Sequence, residues 1–144
     1  RDNMAVDIIA RALALKGNEV TTTQGGTNMK FTRRDTFKFM FKRLDANGDV
    51  ITVKANEMWF TVKENYNTTA IKIQKKLSSG EITYDKNDYT YHVTIQSRDT
   101  AEFNYNQKYV YDVQIQQDYI IKTIVKGTLE VTPEVTFEGV ETNE

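Results

Sequence analysis

From Phe37 onward the apolar residues of this chain recur at every second position, and that period constrains the backbone more than any other feature. Phe37, Phe39 and Phe41 alternate with Lys38, Met40 and Lys42. Successive side chains of an extended chain point to opposite faces, so such a run turns one face to a core and the other to water. The same alternation places Met58, Phe60 and Val62 opposite Trp59, Thr61 and Lys63 in a strand predicted over Glu57 to Lys63. It sets Ile71 and Ile73 against Lys72 and Gln74 in the run from Ala70 to Leu77. Tyr89, Tyr91, Val93 and Ile95 form another inner face, and Tyr109, Tyr111, Val113 and Ile115 another, over Lys108 to Gln116. A short strand is expected at Glu81 to Tyr84, and a last long one over Tyr119 to Val131, ended by Pro133.

Turn chemistry separates these runs. Asp45, Asn47, Gly48 and Asp49 follow the first strand, and Asn47-Gly48 tolerates the positive φ angles of a two-residue hairpin. Ser78, Ser79 and Gly80 turn the chain again, as do Asp85 to Asp88 and Gln117 with Asp118. Ser97 reads as a helix cap with Asp99 in the first turn, predicting one helical turn over Arg98 to Phe103. About seven short strands at regular spacing, with no helical segment between them, predict an all-β fold: an immunoglobulin-like antiparallel β-sandwich.

The N-terminal stretch differs. Val6, Ile9, Ala10 and Leu13 fall at helical spacing, and Ile8, Ala12 and Leu15 make a second apolar stripe, so Met4 to Leu15 is expected to form a short helix. Asp7 and Arg11 form a supporting pair one turn apart, and Gly17 can stop the helix. Asp7 and Arg11 also interrupt the segment, which is far shorter than the roughly 20 residues that span a bilayer, and they break the apolar region of a secretory signal. Arg1, Asp2 and Asn3 precede a methionine that reads like a natural start, so these three are expected to be additions to the native chain. Gly17 to Asn28 has linker composition. The expected organisation is therefore a helix over residues 1–16, a flexible linker over 17–28, a sandwich domain over 29–137 and a tail over 138–144. A helix of about twelve residues is marginal alone in water, which points to docking on a partner through Val6, Ile8, Ile9, Leu13 and Leu15.

Residue types narrow the chemistry. The 144 residues include no cysteine and one histidine, which excludes disulfides, thiolate metal sites, a cysteine nucleophile and paired-histidine ligation. A net charge of −1 gives no general attraction to nucleic acid. His92 has the parity of an outer strand face and is expected to be an ordinary surface residue. Asp45 to Asp49 begins like a calcium loop, but Val50 stands where that loop needs glycine and Asn56 where it needs a bidentate glutamate, so a turn is expected. Asn67-Thr68-Thr69 matches a glycosylation acceptor and is read as a loop. Most of the eight tyrosines fall on inward parity, whereas Trp59 stands opposite Met58 and Phe60 and is a candidate contact residue. No catalytic, metal or cofactor site is expected.

With these residues laid out, the chain from Met29 to its end resembles small virion proteins of phages from Gram-positive gut bacteria, similar to the N-terminal domain of phage upper baseplate proteins. The resemblance rests on Arg34-Asp35-Thr36-Phe37-Lys38-Phe39, on Asp45-Ala46-Asn47-Gly48-Asp49-Val50-Ile51 and on Glu57-Met58-Trp59-Phe60-Thr61-Val62-Lys63. Ile73-Gln74-Lys75-Lys76-Leu77 with Gly80, Asp99-Thr100-Ala101, Tyr109-Val110-Tyr111-Asp112-Val113, Lys126-Gly127-Thr128-Leu129 and Pro133-Glu134-Val135-Thr136 follow in the same order. Arg34 departs from the pattern, which tends to glycine before Asp-Thr, and Met4 to Arg11 resembles the start of other phage tail proteins. The resemblance implies a non-enzymatic structural or adaptor component of a tail or baseplate, made in the bacterial cytoplasm. Its partners would be other virion proteins or a copy of itself, with no nucleic acid and no membrane. The alternative is a carbohydrate-binding or adhesin module that recognises a bacterial host surface, with Trp59 and exposed tyrosines as the stacking platform.

Overall fold

A computed structural model describes residues 9–12, 19–23, 26–44, 47 and 49–135. Among these described residues, ten strands lie in two sheets. They are β1 (Ile9–Ala12), β2 (Glu19–Thr23), β3 (Gly26–Thr32), β4 (Phe37–Leu44) and β5 (Glu57–Lys63), then β6 (Ile73–Lys76), β7 (Ile82–Asp85), β8 (Thr90–Ile95), β9 (Lys108–Gln117) and β10 (Ile120–Thr132). The four-stranded sheet has the order β1-β4-β8-β7 and the six-stranded sheet β2-β3-β10-β9-β5-β6. The result is an all-β, sandwich-like architecture, and none of the described helices is long and apolar enough to cross a membrane.

The alternating residues explain the layers. Phe37, Phe39 and Phe41 on one sheet and Met58, Phe60 and Val62 on the other are all buried and meet in a common core. Phe39 and Phe60 join the sheets edge to face with ring centroids 5.2 Å apart, and Phe60 continues to Tyr111 at 5.5 Å. Phe31 against Phe37 at 4.3 Å carries the same spine to the end of β3. Each such pair contributes about 0.5–1.5 kcal/mol beyond its buried area.

Several expectations change. Ile9–Ala12 is a strand that pairs antiparallel with β4, where the sequence predicts helix; the other residues of that segment lie outside the described ones. Glu19–Thr23 lies inside the stretch read as linker, residues 17–28, and pairs there with Gly26–Thr32, which begins in that stretch and runs on into the sandwich domain. Val20 and three successive threonines are β-branched, and that preference, once a sheet edge is at hand, outweighs the polar composition. The sheets are not wholly antiparallel, because β3 runs parallel to β10.

β4 and β5 do not form a hairpin around Asn47 but lie in different sheets. Ile51 returns far enough to donate its N–H to the Arg43 carbonyl, and the chain then crosses the sandwich. Buried Ala55 is held in that crossing by its N–H bond to the Tyr91 hydroxyl at 3.0 Å. The helical turn at Ser97–Thr100 is a 3-10 turn capped by Gln96 in place of Ser97, with Asp99 accepting the Gln96 N–H at 2.7 Å. Tyr89 leaves the β8 face because it takes a left-handed turn conformation (φ 63°).

Candidate functional site

Of the residues the sequence singles out, Val6, Ile8, Leu13 and Leu15 lie outside the described residues, and Ile9 lies in β1 opposite Leu44. Trp59 sits on the outer face of the six-stranded sheet, where strand parity places it. Its cross-strand neighbours are Lys76 on β6 and Gln114 on β9. The next row along the face is Gln74, Thr61, Asp112 and Lys126, from β6, β5, β9 and β10 in turn. Gln74 donates to the Thr61 hydroxyl and Gln114 to that of Thr123, both at 3.2 Å. Burial raises the Asp112 carboxyl above its ordinary range, against the opposing pull of Lys63 and Lys126. Exposed Tyr66 reaches this face from the loop after β5, with the Lys126 ammonium 5.7 Å from its ring centre.

The β9–β10 hairpin presents a different surface. Tyr119 is 99% exposed, Ile121 58% and Ile120 41%, three successive large apolar residues at one tip. The turn is braced: Gln116 donates its side-chain N–H to the Asp118 carbonyl at 3.1 Å, and Asn56 donates its backbone N–H to the Gln116 carbonyl at 2.8 Å. Sequence parity missed this patch, since Tyr119 to Val131 reads as one continuous strand. The visible signal was the turn at Asp118, which puts the next three apolar residues at the end of the sheet.

His92 faces outward at a shallow depression of about 620 Å³, together with Lys54, Thr83, Tyr84, Asp85 and Lys86. The Thr90 hydroxyl donates to Asp88 at 2.6 Å and stands 2.8 Å from His92 Nε2. A hydroxyl has one proton, so with Asp88 receiving it Nε2 must be the donor to Thr90. That proton is engaged within the protein, which fixes the orientation of the half-buried ring. Burial, with Tyr91 and Tyr89 nearby, raises the Tyr84 hydroxyl above its ordinary range, so it stays protonated at neutral pH.

A further polar cluster is a brace. The Arg33 side chain donates to the Tyr105 hydroxyl at 2.6 Å, and that hydroxyl donates to Glu134 at 2.9 Å. Arg34 reaches the other oxygen of Glu134 at 3.0 Å. The guanidinium of Arg33 also stacks 4.2 Å from the Tyr105 ring centre. These bonds tie the β3–β4 turn, the segment before β9 and the end of β10 together. No group of three or more carboxylates and histidines among the described residues could hold a metal ion. No protein-family model matches the chain, and no curated protein matches its sequence.

Proposed function

We propose that the chain is a non-enzymatic structural or adaptor component of a phage or prophage tail or baseplate, with an immunoglobulin-like sandwich that works through protein–protein contacts. The observation that carries this reading is the braced apolar tip of Tyr119, Ile120 and Ile121. Large apolar side chains held in water at a rigid convex point are what an attachment site needs and a free monomer does not. The resemblance of residues 29–144 to small virion proteins supplies the setting.

The occupant is a groove on a different protein of the particle. Two copies meeting tip to tip would bury far less than the roughly 1,200 Å² of a stable interface, whereas a concave receptor encloses the tip. Among the described residues β1 is the outer strand beside β4, and attachment at the N-terminus runs through that strand edge.

Replacing Tyr119 by a photoreactive phenylalanine analogue and irradiating assembling particles tests the contact. A cross-link to another structural protein of the particle supports it. A cross-link only to a second copy, or none, overturns it.

A further inference from the structure

We propose that the outer face of the six-stranded sheet between Trp59 and Tyr66 binds a neutral glycan chain, with Asp112 as the hydroxyl acceptor at its centre. This goes beyond the adaptor reading and stands apart from it, because the two surfaces use different residues.

The argument starts from Asp112. Its side chain is half-buried on a sheet face, and among the described residues no hydrogen-bond donor or ion pair meets the carboxylate within bonding distance; Lys63 and Lys126 act on it only at longer range. A half-buried carboxylate on an open face has acceptor sites that water fills in the free protein and that ligand hydroxyls can take over. A divalent cation is a poor match, since the two lysines already oppose the negative charge. A vicinal diol matches well, because it donates two O–H groups and brings no charge.

The surroundings fit the same ligand. Trp59 lies one row along the face from Asp112, and Tyr66 meets Lys126, the strand partner of Asp112, 5.7 Å from its ring centre; aromatic faces pack against the C–H surface of a sugar ring while its hydroxyls turn to polar neighbours. Those neighbours are present: Thr61 and Lys126 are in register with Asp112, and Gln114 with Trp59. The Gln74 to Thr61 and Gln114 to Thr123 bonds hold the amides in place, so the face is organised before any ligand arrives. Backbone bonding by Lys72 N–H to the Val62 carbonyl at 2.8 Å anchors the far end of the loop that carries Tyr66.

Trp59 is the single tryptophan of the chain, so its fluorescence reports this face alone. The intact chain is titrated with hexasaccharides of the cello-, chito-, malto- and manno- series while Trp59 emission is followed. A saturable change with at least one of them is expected. That change should need about tenfold more sugar in Asp112→Asn and in Tyr66→Ala, with their melting temperatures unchanged. Calorimetry on Trp59→Ala should show the same loss. No change with any of the four, or equal titrations for wild type and Asp112→Asn, would overturn the proposal. Incorporation of Asp112→Asn into particles should be normal, so failure here and failure of the adaptor reading are separately visible.

Discussion

The side-chain oxygen of Asn56 accepts the backbone N–H of Asp118, across 62 residues of sequence. Asp118 has φ 57°, the left-handed conformation that opens the β9–β10 turn, and Asn56 closes the free donor of that turn from the start of β5. The apolar tip is thereby fastened to the neighbouring strand. Asn56→Ala should lower stability by about 1 kcal/mol in urea unfolding. Amide exchange should accelerate at residues 118–121 and stay unchanged in the core strands.

Glu134 makes stability depend on pH. Burial alone would raise its carboxyl, but bonds from its own backbone N–H, from Tyr105 and from Arg34, with the charge of Arg33, outweigh burial and hold it below the usual glutamate range. A carboxyl depressed in the folded state stabilises fully above its unfolded value, about 4.3, and loses that contribution as pH falls through the lower folded value. Glu134→Gln should cost about 1–2 kcal/mol at pH 7 and much less at pH 3, read from thermal or urea unfolding at the two pH values.

Arg34 pairs with Glu134 while holding φ at 72°, a conformation that costs a side-chain-bearing residue about 1 kcal/mol. Arg34→Ala loses the pair and keeps the strain; Arg34→Gly loses the pair and relieves it. The glycine variant should therefore be more stable than the alanine variant by about 1 kcal/mol in urea unfolding.

Arg43 is fully buried on β4, with one guanidinium nitrogen bonded to the Val53 carbonyl at 3.1 Å. Its Nε and other terminal nitrogen meet no partner among the described residues. A buried charge so poorly matched is a net cost, so Arg43→Met should leave stability unchanged or raise it by about 1 kcal/mol or more. Arg43→Ala should lower it by leaving a cavity. Denaturant midpoints of the two variants decide.

The sheet core was legible because one residue carries it at a time. Strand β5 ends where alternation from Glu57 to Lys63 ends, and its parity alone places Trp59 on the outer face. Features set by two distant segments were not legible. Asn47-Gly48 has hairpin chemistry, yet β4 and β5 part to different sheets because the segment between them is drawn across the core at Ala55. In the N-terminal stretch, apolar residues outnumber polar ones so heavily that helical and extended readings match equally well, and pairing with β4 decides for Ile9–Ala12. At the candidate surfaces, Trp59 could be read from its own strand. Asp112 comes beside Lys63 and Lys126 from other strands, and Tyr66 reaches the face from a loop, so neither had a local signal.

The adaptor reading is tested most directly by mass spectrometry of purified particles from the bacterium that encodes the chain, comparing wild type with a Tyr119→Ser, Ile121→Ser double variant. Both forms should show the same melting temperature, since the replaced side chains lie in water. The wild-type chain should be present in the particles at constant stoichiometry and the double variant depleted at least tenfold, the equivalent of about 1.4 kcal/mol of lost contact. Absence of the wild-type chain from particles, or equal incorporation of the two forms, would contradict the account.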